Sequence, residues 1–193
     1  MVEERVSEAE VKRVSDRVQA IKREAAKAVV GQDKIVDAVI RAQLAGGHIL
    51  MECVPGIAKT LIERTVASAM GCNFNRIQFT PDLLPSDIIG LTTYSKEKGF
   101  TIVKGPIFTN FLLADEINRA SPKVQSALLE GMQEMQATIG RETFPIEAPF
   151  LVLATQNPIE SLGTYPLPHA QVDRFMFKVE MSYPTMEEEQ LVL

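Results

Sequence analysis

The sequence predicts an α/β fold in which a parallel β-sheet is sandwiched between helices. Short apolar runs of strand length alternate along the chain with longer segments whose apolar residues recur at helical spacing. Because parallel strands need a crossover connection, which is usually a helix, this alternation favours a parallel sheet covered on both faces. The 193 residues are enough for one such domain with a sizeable core. The predicted strands occupy residues 48–51, 74–79, 111–114, 150–155 and 175–179.

The first predicted element is an amphipathic helix from about Ser7 to about Lys27. Its apolar positions are spaced 3, 4, 3, 4 and 3 residues apart, and charged residues fill the other face. Such a helix packs on its own domain or pairs with a partner in a coiled coil. Packing on its own domain is favoured, because two heptads are too few for a coiled coil. The apolar positions are Val11, Val14, Val18, Ile21, Ala25 and Ala28.

Further helices and two hairpins are predicted between the strands. Ser121 and Pro122 are typical of an N-cap and the first turn of a helix. The stretch 80–109 is rich in Pro, Gly, Asp and Ser, and residues 100–103 within it form one arm of a small hairpin. A second hairpin is predicted at 137–146 around a glycine turn. The helices occupy residues 32–45, 59–70 and 122–135, and residues 158–168 form a loop.

Composition excludes several classes of protein. The chain is 46% hydrophobic and 23% charged, the balance of a globular domain rather than a disordered one. The net charge of −5 counts against nucleic-acid binding. No apolar run approaches the roughly 20 residues of a membrane helix, and the charged N-terminus lacks a signal core, so we expect no membrane insertion and a cytoplasmic location. Cys53 and Cys72 have neither metal-ligand nor disulfide-framework spacing, which suits a reducing compartment.

Residues 52–60 lie between a predicted strand and a predicted helix, at the strand end where ligands of parallel sheets bind. A phosphate-binding loop needs a tight turn with exposed backbone N–H groups, a Lys for the phosphates and a hydroxyl for Mg²⁺ at the helix N-terminus. Gly56, Lys59 and Thr60 supply these parts in order. The alternative is an ordinary strand–turn–helix with an incidental Lys-Thr pair.

This segment departs from the standard phosphate-loop pattern G-x-x-x-x-G-K-[ST] at two positions. Cys53 replaces the first glycine and Ala58 replaces the second. Ala58 is a mild change if its backbone is helical. A side chain at Cys53 costs about 1–2 kcal/mol if that position needs a positive φ. The backbone angle at Cys53 therefore decides how costly the departure is.

Polar residues follow two more of the predicted strands. Asp115 and Glu116 come directly after an apolar strand, where the first carboxylate can hold Mg²⁺ and the second can polarise a water molecule. A solvated strand end is the alternative. Asn157 follows the next strand and either orients water or forms a strand-end turn. Arg174 precedes the last strand, where it either stabilises phosphate charge across a subunit boundary or pairs with a surface acid such as Asp173.

Taken together, these segments resemble the MoxR family of AAA+ ATPases. The resemblance runs from about Val29 to Pro184, which is most of the chain, and the length of the matched stretches makes it specific. The segments that carry it are VVGQDKIVDAVI, VPGIAKT (Walker A), RIQFTPDLLPSDIIG, GPIFTNFLLADEINRASPKVQSALLEGMQE (Walker B), LATQNPIE and GTYPLPHAQVDRF.

The resemblance implies a P-loop AAA+ core over residues 29–184 that binds ATP or ADP with Mg²⁺ and hydrolyses ATP. In this family pattern Glu116 is the catalytic base, Asn157 is the sensor that positions the lytic water, and Arg174 is a finger that reaches a neighbour's ATP. The implied nucleotide-binding residues are Val30, Gly31, Gln32, Pro55, Gly56, Ile57, Ala58, Lys59, Thr60 and Leu61, and the implied metal ligands are Thr60 and Asp115.

The resemblance also implies features beyond a single site. The segments around Phe100 and Ile139 match two hairpin-bearing insertions of this branch. The family assembles as hexameric rings and remodels or matures other proteins, often with partners that carry a von Willebrand A domain. Residues 1–28 are then a separate N-terminal helix and residues 185–193 the start of a lid, so we expect weak turnover from this chain alone. His169 stands where the family usually carries Glu, so contacts between subunits are expected to differ.

Two other functions stay open. A nucleotide-binding scaffold with little turnover is the first, and it is supported by Cys53 and by the expected absence of most of the lid. ATP turnover compared with a Glu116→Gln variant separates it from an ATPase. A nucleic-acid motor is the second, because related AAA+ branches include helicases. The acidic composition and the lack of a basic strip interleaved with aromatic residues count against it.

Overall fold

The computed structural model describes residues 7–53, 59–158, 163–181 and 183. Its elements alternate between helices and strands as predicted. In chain order they are α1 (Glu8–Ala25), α2 (Asp33–Ala45), β1 (Ile49–Cys53), α3 (Lys59–Ala69), β2 (Phe74–Gln78), α4 (Pro85–Ile89), β3 (Gly90–Ser95), β4 (Gly99–Lys104), β5 (Phe111–Asp115), a 3₁₀ turn (Ile117–Arg119), α5 (Pro122–Glu134), β6 (Gln136–Ile139), β7 (Glu142–Pro145), β8 (Leu151–Gln156), α6 (His169–Val172) and β9 (Phe177–Met181).

Five strands form one parallel sheet in the order β2-β5-β8-β1-β9. The predicted α/β fold is therefore confirmed. Helices α1, α2 and α3 contribute to one apolar cluster, which takes the side chains of Met51 and Leu113 from the sheet. Helices α4 and α5 contribute to a second cluster, which takes Leu50 and Leu112. Because neighbouring side chains of a strand point to opposite faces, a sheet buried on both sides requires the unbroken apolar runs seen in the sequence.

Helix α1 begins with a capping box. The Ser7 hydroxyl accepts a hydrogen bond from the Glu10 backbone N–H, and the Glu10 carboxylate accepts one from the Ser7 N–H. Ala25 near its other end is fully buried on the domain, whereas Val11 and Val14 are 58% and 44% exposed. Packing on its own domain is thus confirmed for the C-terminal part of this helix.

Both predicted hairpins are present as antiparallel pairs, β3 with β4 and β6 with β7. The sequence did not predict α4, α6 or the 3₁₀ turn, because segments of three to five residues are too short to show a helical period. Within the described ranges, no helix is both long and apolar enough to cross a membrane.

The start of β9 and the N-cap of α5 differ from their predicted position or chemistry. Strand β9 begins two residues later than predicted, because Met176 still donates its N–H to the His48 carbonyl at 2.8 Å and Phe177 is the first residue in register with Ile49. Ser121 does stand at the N-cap of α5, but its hydroxyl makes no capping hydrogen bond.

A buried histidine joins β1, β8 and α5. The Nδ1 atom of His48 accepts a hydrogen bond from the Val152 N–H at 3.0 Å, and its Nε2 atom lies 3.3 Å from the Met132 carbonyl oxygen. These partners require the neutral tautomer with a proton on Nε2. Burial lowers the pKa of His48, although the Met132 carbonyl acts in the opposite direction.

Candidate functional site

The predicted site residues converge on one edge of the sheet. Cys53 ends β1, Asp115 ends β5 and Gln156 ends β8, while α3 begins at Lys59 beside them. The lysine ammonium lies 3.1 Å from an oxygen of Asp115, so the helix N-terminus faces the strand ends. A helix N-terminus at such an edge favours bound anions. The predicted loop residues Pro55, Gly56, Ile57 and Ala58 lie outside the described residues.

Asp115 is the centre of a polar network. Its Oδ1 atom accepts a hydrogen bond from the Thr155 hydroxyl at 2.6 Å and faces Lys59, while its Oδ2 atom lies 2.7 Å from Nη2 of Arg76. Burial raises the pKa of Asp115, but the donors Thr155, Arg76 and Lys59 outweigh it, so the pKa lies below its ordinary value. The side chain is therefore an ionised carboxylate at neutral pH.

Glu116 has a different environment from its neighbour. Its backbone is left-handed, with φ 58° and ψ 49°, and its N–H donates to the Thr155 hydroxyl oxygen at 2.9 Å. The carboxylate accepts a hydrogen bond from Gln78 at 2.9 Å and lies 3.0 Å from Nε of Arg119. The left-handed residue turns the chain after β5, so the two adjacent carboxylates take separate positions.

The tip of β8 supplies two more polar side chains. Thr155 is fully buried and contacts both Asp115 and Glu116 through its hydroxyl. Asn157 is 7% exposed and follows directly after the strand. Gln156, the last residue of β8, donates a hydrogen bond to the Glu52 carboxylate at 2.7 Å. The predicted sensor residue thus lies at the same edge as the two acids.

The cysteine in the phosphate-loop pattern lies in regular strand. Cys53 is the last residue of β1, pairs in register with Met181, and is not among the described residues with positive φ. The side chain therefore costs no left-handed strain at this position. Burial raises the pKa of the Cys53 thiol, although the nearby Lys59 ammonium acts to lower it. The thiol therefore stays protonated at neutral pH.

The remaining predicted residues lie in the turn between α1 and α2, on α3 and around α6. Gly31, with φ 73°, makes the turn between α1 and α2, with Val30 and Gln32 half-buried on either side. Leu61 is 45% exposed on α3. Arg174 and His169 are exposed on and just after α6, and no ion pair among the described residues joins Arg174 to Asp115 or Glu116. An arginine placed in this way is accessible to a neighbouring molecule.

The donor atoms fit a magnesium ion. The predicted ligands, the Thr60 hydroxyl and the Asp115 carboxylate, are oxygen donors, and Asp115 is ionised. In the described part of the chain no group of three or more His, Cys, Asp or Glu residues could enclose a metal ion. Two oxygen ligands from the protein suit an ion that keeps several waters and takes phosphate oxygens as further ligands.

Four residues of the network were not singled out from the sequence: Arg76, Gln78, Arg119 and Thr155. Strand alternation could have placed Arg76 and Gln78 on one face of β2, but only the strand order brings that face beside β5. Thr155 is the last residue of the predicted buried strand 150–155, and its position in that strand does not single it out.

A buried acid on α3 lies one turn after Lys59. Glu63 is fully buried, and neither carboxylate oxygen has a hydrogen-bond partner among the described residues. Burial, reinforced by the charge of Asp115, raises the pKa of Glu63 well above its ordinary value. Burial therefore favours the protonated form of this side chain, in contrast to Asp115.

Comparisons with known proteins agree with the fold. The ATPase family associated with various cellular activities (AAA) matches residues 48–177. The chain is 55% identical over 171 residues to the chaperone MoxR1 of Mycobacterium tuberculosis, covering 88% of this chain and 45% of that protein. It is 33% identical over 174 residues to the protein MoxR of Methylorubrum extorquens, covering 88% of this chain and 50% of that protein.

A solved structure supports the fold independently. The crystal structure of an inferred ATPase from Cytophaga hutchinsonii superposes with a TM-score of 0.82 at 53% sequence identity, covering 95% of this chain and 58% of that one. The chain spans about half the length of the curated relatives it matches.

Proposed function

The chain belongs to the MoxR family of AAA+ ATPases, and we propose that it binds ATP with Mg²⁺ and hydrolyses it at the network around Asp115. One observation carries this proposal. Lys59 at the start of α3 and Asp115 at the end of β5 form an ion pair at 3.1 Å, although they are far apart in the sequence. A phosphate-binding cation and a metal-binding carboxylate are thereby held at one point.

Each side chain has a distinct proposed task. Lys59 exchanges Asp115 for phosphate oxygens when nucleotide enters, and the backbone N–H groups at the start of α3 add to the positive field. Thr60 and Asp115 would hold Mg²⁺, which would supply positive charge against the transferred phosphate. Glu116 accepts a proton from the attacking water, and Asn157 orients that water. Residues 30–32 and 55–61 complete the nucleotide site.

Calorimetric titration of ATP with Mg²⁺ tests the binding half of the proposal. Lys59→Ala is expected to abolish binding, because it removes the cation that faces the phosphates. Lys178→Ala is the matched control, since Lys178 pairs with Glu52 at 2.9 Å, outside the Asp115 network, and is expected to bind as the wild type does. Equal binding by all three proteins contradicts the assignment of Lys59.

We also propose that the protein acts as a ring, the hexamer of its family, on other proteins, including ones with a von Willebrand A domain. The exposed position of Arg174 supports this, because an arginine outside its own network can complete a neighbour's site. The Mycobacterium tuberculosis relative is named as a chaperone.

Mixing two inactive variants tests the finger in trans. Lys59→Ala lacks a working phosphate site and Arg174→Ala lacks the finger, so each alone is expected to be inactive. In an equal mixture, an intact phosphate site of the Arg174 variant can lie beside an intact finger of the Lys59 variant. Random assembly produces this pairing at about a quarter of the interfaces, so about a quarter of the wild-type turnover is expected. A mixture as inactive as its components contradicts a finger that acts between subunits.

A further inference from the structure

Arg76 reaches from β2 to the buried carboxylate at the end of β5. Its Nη2 atom lies 2.7 Å from Oδ2 of Asp115 and donates a second hydrogen bond to Oε1 of Gln78 at 2.8 Å. The arginine side chain is 45% exposed, whereas that of Asp115 is 7% exposed. A solvated side chain therefore supplies the counter-charge of a buried acid.

The two oxygens of Asp115 have different surroundings. The Oδ1 atom faces Thr155, which is fully buried, and Lys59, whose side chain is 11% exposed. Among the described residues, the Oδ2 atom pairs with Arg76. The solvent-side approach to Asp115 is therefore the one that the guanidinium occupies.

We propose that Arg76 is a tethered cation that competes with the metal ion for Asp115. This inference rests on the proposed function, because it takes Asp115 as the metal ligand. Two positive charges within a few ångströms of the same oxygen repel each other, so the metal ion binds Asp115 only as the guanidinium leaves. Nucleotide phosphates add anionic oxygen ligands for the metal and thereby shift the competition in its favour. Arg76 thus keeps the metal-free carboxylate paired and weakens metal binding.

The test is the affinity of the chain for Mn²⁺, followed by electron paramagnetic resonance of the free ion, with and without ATP. Arg76→Met is expected to bind Mn²⁺ about threefold more tightly than the wild type, because the competing ion pair is partly exposed and hence modest. Arg64→Met is the matched control, since it removes the same charge from an exposed position on α3. Arg76→Gln is a second variant in case Arg76→Met does not fold.

The outcomes separate this inference from the proposed function. The competition between Arg76 and the metal ion is overturned if the Arg76 variants bind Mn²⁺ no more tightly than the wild type. It is overturned equally if Arg64→Met raises the Mn²⁺ affinity by the same factor. In either case the proposal of ATP binding is unaffected. If ATP binds none of the proteins but Mn²⁺ binds the Arg76 variants more tightly, the competition at Asp115 is supported and the ATPase proposal fails.

Discussion

Thr155 is the side chain whose loss should disturb the site most, because one hydroxyl joins both acids. It donates to the ionised Asp115 at 2.6 Å and accepts from the Glu116 N–H at 2.9 Å, from a fully buried position. Thr155→Val keeps the volume and removes both hydrogen bonds. A hydrogen bond to a charged group contributes roughly 1.5–3 kcal/mol and a neutral one roughly 0.5–1.5 kcal/mol, so we expect the free energy of unfolding to fall by about 2–4 kcal/mol.

Thr155→Ser is the matched control for this prediction. It keeps the hydroxyl and removes one buried methyl group, so the expected loss is about 1 kcal/mol. Urea unfolding followed by circular dichroism measures both variants. The reasoning is refuted if Thr155→Val unfolds within about 0.5 kcal/mol of the wild type. It is refuted equally if Thr155→Ser is as destabilised as Thr155→Val.

Three further predictions concern stability and pH. Glu63→Leu is expected to stabilise the protein, because it removes a buried carboxyl that has no hydrogen-bond partner among the described residues. The gain should grow as pH rises above 4.5, where the unfolded chain releases the proton that the folded Glu63 retains. Urea titrations that show no gain near pH 7 contradict this. The lowered pKa of His48 predicts that unfolding free energy falls as pH drops below 6.5, since the unfolded histidine takes up a proton. His48→Gln should flatten that dependence, as paired pH series of unfolding curves for the wild type and the variant can show. Gly90→Ala is expected to destabilise the first hairpin, because its φ is 108° and a Cβ there would lie 2.2 Å from the Val103 carbonyl oxygen. Gly99→Ala, at φ 70° with open space around it, is the milder comparison in thermal unfolding.

Apolar patterning was enough to predict the central sheet. The runs around Leu50, Leu112 and Val152 are buried on both faces, and only a sheet covered by helices gives a short strand that environment. The charged N-terminal helix was also predictable from apolar patterning, because its apolar residues recur at helical spacing. Short elements such as α4 and α6 carry no period and could not be predicted in this way.

The acids and the lysine of the site could be predicted from the sequence, but the hydrogen bonds and ion pairs that join them could not. Whether Arg76 meets Asp115 depends on β2 lying beside β5, which is a matter of strand order rather than of local sequence. The left-handed Glu116 donates its N–H to the hydroxyl of Thr155, which is remote in the chain. At Cys53 the sequence left a positive φ open, and its place in β1 excludes that strain.

The central claim is that the acidic end of β5 hydrolyses ATP, and phosphate release tests it most directly. Isotope-labelled ATP is incubated with the wild-type chain and with Glu116→Gln, and ATP binding is measured in parallel. We predict that both proteins bind ATP and that phosphate release falls by about 10²-fold or more in the variant, because it lacks the base. Equal phosphate release by the two proteins, or none from either despite binding, would contradict the account and favour a nucleotide-binding scaffold.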